Sequence, residues 1–146
     1  MNLTQKLEHW GDTHHPKWLD IVRIGLGVFL IYKGIDFLQN MSIFLDKIAS
    51  SMSFGSLSLI FLGHFVVFAH IVGGFFIAIG LLTRFSCIIQ IPILLGAIIF
   101  INSSQGFWHP FSEMGMSVLV LVALIVFMIE GSGPWSTDQY MKGKEV

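Results

Sequence analysis

Charge is what this sequence has least of. Of 146 residues, 12% are Asp, Glu, Lys or Arg, against 54% apolar. A water-soluble domain carries about a quarter charged residues. This chain cannot coat a surface that faces water, and its mean hydropathy of +0.78 points the same way. The net charge is −1, with no long run of either sign, so there is no electrostatic footprint for nucleic acid. Cysteine is nearly absent. Cys87 alone makes no internal disulfide, no CxxC pair and no thiolate cage. The H-x-x-x-H spacing of helical zinc sites is missing. No phosphate loop and no nucleophile–base pair is legible. A metal site and a free-standing enzyme are therefore not expected. The opening "MNLTQKLEHWGDTHHPKW" is polar and has no cleavable signal pattern.

Long apolar runs are what the chain does have. A spanning helix needs roughly 20 mostly apolar residues. Four segments qualify: about Leu19–Leu38, Leu57–Leu82, Phe85–Ile101 and Gly115–Glu130. The runs are continuous rather than alternating, which disfavours strands. The expected fold is an all-α membrane protein, a four-transmembrane-helix antiparallel bundle. Thr83–Arg84 forms the turn of its second hairpin. In the first outer loop, Ile43, Phe44, Ile48 and Met52 recur at helical spacing and predict a short interfacial helix. Trp108 and nearby Phe residues suit the headgroup level of the other outer loop. Lys6, Lys17, Arg84, Lys142 and Lys144 share one side, with Lys47 on the other and Lys33 near it. By the positive-inside rule both termini are cytoplasmic, in a bacterial inner membrane. Residues 1–18 read as a polar cytoplasmic segment and 139–146 as a short polar tail.

Polar residues at membrane depth are costly and face a bundle interior or a cavity. At about 1.5 Å rise per residue, two layers emerge. Arg23 and Glu130 form a cytoplasmic layer, simplest as a pair holding the first and fourth helices. Lys33, Asp36, His64, Asn102, His109 and Glu113 form an outer layer. Lys33 and Asp36 are three apart and can pair within one helix, or Lys33 can snorkel to the headgroups. His70 and Gln90 lie between the layers, and His70 also reads as an ordinary interhelical hydrogen-bonding residue. His64 and His70 differ by about 120° around one helix, so one helix cannot offer both to a haem, which is disfavoured. His14 and His15 read as a solvated loop. Gly27 and Gly34, then Gly73, Gly74 and Gly80, then Gly96 and Ala97, thin successive helices for close approach. Pro92 kinks the third span and raises Gln90 as a pocket residue.

Three stretches carry a family likeness. "RIGLGVFLIYKGIDFL" resembles the first-helix signature of the DoxX family. "GGFFIAIGLLTRFSCIIQIPILLGAII" resembles its second–third hairpin, and "GSGPWSTD" its closing tail. The resemblance spans about Arg23–Asp138, so residues 19–138 read as a DoxX-like four-helix domain. It implies an integral membrane protein linked to redox complexes, since the family takes its name from a membrane subunit of a thiosulfate:quinone oxidoreductase. Where many relatives have a glutamate before the twin glycine, His70 stands here. Three functions stay open. The first is a redox-linked subunit that anchors an oxidoreductase or shapes a quinone pocket, lined by Arg23, His70, Gln90 and Glu130. The second is a small proton or solute transporter or channel, which needs a homo-oligomer for room. The third is a non-catalytic scaffold in the lipid bilayer.

Overall fold

A computed structural model describes residues 2, 3, 5, 6, 9, 10, 16–51, 55–101 and 113–143. Its regular elements are helical. They are α1 (Lys17–Gln39), α2 (Met41–Ser51), α3 (Ser56–Ile79), α4 (Thr83–Gly96) running into a π-helical turn (Ala97–Ile101), α5 (Glu113–Glu130) and α6 (Thr137–Lys142). Asn102, Trp108 and His109, expected at the outer side, lie outside the described residues, as do His14, His15 and Met52. Glu113 opens α5.

The helices start and stop where local chemistry requires. Pro16 stands immediately before α1, where its missing N–H costs nothing. Asn40 ends the helix, its backbone N–H and its side-chain amide both reaching the Asp36 carbonyl. Met41 starts α2 at once. α3 ends on Gly80 at φ 72°, with Leu81 N–H bonded to the Phe76 carbonyl and Gly80 N–H to the Ile77 carbonyl. That is the paired-bond terminator in which glycine takes the left-handed position. The expected turn at Thr83–Arg84 is corrected by this. The turn is Gly80–Leu82, and Thr83 already begins α4. Gly80 therefore ends a helix rather than thinning one.

α1 lies along α3, α4 packs on both α3 and α5, and α5 touches α1 more sparsely. One core gathers Leu26 and Leu30 of α1, Ile77 of α3, Cys87 and Leu94 of α4, and Val120, Leu124 and Phe127 of α5. The α1–α3 contact is close because it is built on glycine. A Cβ at Gly27 would sit 2.5 Å from the Gly74 carbonyl oxygen and from the Ala78 nitrogen. Gly96, by contrast, has open space around it and makes no close approach.

The opposite faces are as apolar as the core. Ile21, Val28 and Tyr32 of α1, Phe61 and Phe68 of α3, and Phe85 and Ile88 of α4 are exposed. A helix that is apolar all round needs a non-aqueous neighbour. By length and composition, α3 is long enough to cross a membrane, at about 36 Å for its 24 residues. The apolar stretches Thr83–Ile99 and Met114–Glu130 are shorter, and α1 is interrupted by Asp20, Arg23, Lys33 and Asp36. α2 is a short helix as expected, but Phe44 and Ile48 pack inward against Leu59 and Val66 while Ile43 stays exposed.

Candidate functional site

Two polar regions lie at different places along the helices. The first is where α3 turns into α4. Arg23 is fully buried there, which its charge permits only with partners. Its Nη1 donates to Asp20 Oδ1 at 2.7 Å, and its Nη2 to the Trp135 carbonyl at 2.8 Å. Trp135 N–H returns a bond to Asp20 Oδ2 at 3.2 Å. The pairing of Arg23 with Glu130 is thereby corrected: the carboxylate is Asp20, one turn earlier on the same helix. Glu130 Oε2 is buried without a hydrogen-bond partner. Around this pair the chain after α5 is tied down. Thr137 Oγ1 donates to the Ile79 carbonyl, Asp138 N–H to the Gly80 carbonyl, and Leu82 N–H to Asp138 Oδ1. Arg84 Nη2 donates to the Ile129 carbonyl. We call this region the clasp.

The second region is a cavity of about 860 Å³ bounded by α1, α2, α3, α4 with its π turn, and α5. Its wall is mostly apolar, with Phe29, Phe37, Phe44 and Phe65 among the rings. Its polar groups include Lys33, Asp36, Asn40, Lys47, His70 and Ser117. An apolar hollow of this size with a few polar groups is the usual form of a small-molecule site. Gly34 helps build it: a Cβ there would meet the His70 Cβ at 3.1 Å, so a bare backbone lets α1 come up beside His70.

His70 is buried, with Nδ1 2.9 Å from the Val66 carbonyl and the Phe37 ring edge-on at 5.5 Å. A carbonyl only accepts, so Nδ1 carries the proton and Nε2 is left for another group. The Asp36 carboxylate accepts from Asn40 Nδ2 at 3.1 Å.

Of the residues singled out from sequence, Lys33, Asp36 and His70 come together on this wall. His64 does not join them. It is exposed, bonded to the Ile60 carbonyl on its own helix, and turned away because six residues of helix rotate it off the His70 face. Gln90 is also not on the wall. It is wholly buried between α3 and α4, its Nε2 donating to the Ala69 carbonyl across Gly73 while Oε1 has no partner. Arg23 and Glu130 belong to the clasp end. Sequence reasoning missed Asp20, the Trp135 carbonyl and Phe37. Asp20 could have been found from its i, i+3 spacing to Arg23. A backbone carbonyl leaves no signal in residue type.

Among the described residues, no three His, Cys, Asp or Glu side chains are grouped to hold a metal ion.

Apolar helices with apolar outer faces, built around a mostly apolar hollow, fit a membrane-associated α-helical protein. The DoxX family profile matches residues 18–103, more than half of the chain, and the chain belongs to that family. The match covers α1 to the π turn and stops short of the "GSGPWSTD" tail. Neither the curated proteins nor the solved structures supply a match.

Proposed function

We propose that this DoxX-family chain is a redox-linked membrane subunit whose cavity binds a quinone. One observation carries the reading: a cavity of about 860 Å³, walled by aromatic and aliphatic side chains, with one ring nitrogen of His70 uncommitted. A quinone is a flat ring on a long apolar tail. Phe29, Phe37 and Phe65 offer surfaces for the ring and tail, and His70 offers a polar contact that fixes the headgroup. When bound, the quinone supplies the electron-carrying chemistry. The chain's residues bind it, orient it and keep water from its ring. An oxidoreductase partner completes the pathway.

The same reading makes α1, α3, α4 with its π turn, and α5 four spans of an antiparallel bundle. Both termini and the Gly80–Leu82 turn then face the cytoplasm of an inner membrane. The exposed apolar faces and the lysines and arginine on the turn side support this. α2 would lie at the outer interface. A transport role fits less well. Leu26, Leu30, Ile77, Leu124 and Phe127 fill the core with apolar side chains, which leaves little room for a path beside them.

The test is gentle extraction from the native membrane, followed by mass spectrometry of co-purifying proteins and of the lipid extract. The expected result is an oxidoreductase in fixed ratio and quinone above the bulk-membrane proportion. Bulk lipid alone, with no redox partner, would contradict the proposal.

A further inference from the structure

Hydrogen-bond polarity inside the cavity separates the two oxidation states of the proposed ligand. The oxidised ring presents two carbonyl oxygens, which only accept. The reduced ring presents two hydroxyls, which donate. The wall's preference therefore depends on which of its polar atoms are still uncommitted, and of which kind.

The deciding one is an acceptor, His70 Nε2. A neutral imidazole has one N–H, and the Val66 carbonyl takes it at 2.9 Å, so Nε2 keeps a bare lone pair. Lys33, Lys47 and Ser117 also line the wall and carry donors, but a hydroxyl oxygen accepts from a donor as a carbonyl oxygen does, so they do not separate the two forms. The Asn40 amide is committed to the Asp36 carbonyl and carboxylate.

We infer that the cavity selects the hydroxylated, hydrogen-bond-donating form of its ligand, a long-tailed dihydroxybenzene, over the oxidised dicarbonyl form, with His70 Nε2 as the principal acceptor. The inference rests on the quinone reading above and adds a direction to it. A ligand carbonyl opposite Nε2 faces lone pair to lone pair, whereas a hydroxyl there makes a hydrogen bond. His70 itself is buried, so solvent compensates that contrast poorly. The expected preference is about tenfold or more. For a two-electron couple, tenfold tighter binding of the reduced form raises the bound midpoint potential by about 30 mV. A subunit with this bias holds the product of quinone reduction more tightly than the substrate.

The test uses the full chain in nanodiscs under anaerobic conditions, with two ligand pairs measured by calorimetry. One pair is a decyl-tailed 1,4-benzoquinone and its quinol. The other is a long-chain alkylphenol and its methyl ether, which differ in the donor hydrogen and share no redox chemistry. The quinol and the phenol are each expected to bind about tenfold more tightly than their partners. His70→Phe, which keeps a ring and removes the acceptor, is expected to bring both ratios close to one. The phenol–ether comparison on the unaltered chain stands even if that variant folds poorly. Binding of both members of each pair with equal affinity, or tighter binding of quinone and ether, overturns this inference and leaves the cavity reading standing. A preference that survives in folded His70→Phe overturns the assignment to His70. No binding by any of the four removes the quinone reading and this inference together.

Discussion

The clasp and the cavity both set polar residues into an apolar chain, yet they use them in opposite ways. At the clasp, both Arg23 Nη atoms and both Asp20 carboxylate oxygens are engaged with the protein itself. At the cavity, His70 uses one ring nitrogen on its own helix and leaves the other for something else. The difference separates structure from binding. A charge buried against protein partners costs several kcal/mol to disturb, and its loss shows up as lost fold. A polar atom left open in a hollow contributes little to the fold and much to a ligand.

Substitutions can break or sharpen this contrast. The largest effect is expected outside both regions, where α1 meets α3. Gly27→Leu drives a side chain into backbone atoms that cannot move aside. It should exceed the ~1–3 kcal/mol typical of overpacking, and size-exclusion chromatography should find little monodisperse protein. Next comes the clasp. Asp20→Ala leaves Arg23 buried without its carboxylate and should lower stability by about 3–5 kcal/mol, read as a fall in Tm. The cavity comes third. His70→Phe should change Tm little and weaken the quinol about tenfold, or about 1.4 kcal/mol. The smallest effect is expected at Gln90. Its amide makes one bond and leaves Oε1 unpartnered, so Gln90→Leu should move stability by at most ~1 kcal/mol. A large loss there would mean that Gln90 does more than bridge α3 and α4.

Much of the fold was legible in the sequence because it follows from composition. Continuous apolar runs predict helices, and their order and glycine spacing carry the family likeness. Boundaries were harder where apolar character does not stop. The run from Phe75 to Leu82 is apolar throughout, and only the left-handed Gly80 shows that α3 ends inside it. Arg23 was correctly expected to need a carboxylate, but the reading by depth pointed to Glu130 and passed over Asp20. The cavity was less legible still. Its wall draws on α1, α2, α3, α4 and α5 together, and no local pattern encodes a space left between helices. His70 drew notice as a titratable residue in a span. Which of its nitrogens is committed depends on a backbone carbonyl and a rotamer.

The most direct test of the contrast between clasp and cavity is the ligand-induced shift in Tm, measured with the decyl-tailed quinol on the unaltered chain, Asp20→Asn and His70→Phe. Saturating ligand at about 100 times Kd stabilises a binding-competent fold by about 2.7 kcal/mol. The account predicts that Asp20→Asn starts from a lower Tm and shifts as far as the unaltered chain, while His70→Phe starts near the original Tm and shifts about half as far. A full shift in His70→Phe together with none in folded Asp20→Asn would contradict it and move the binding site to the clasp.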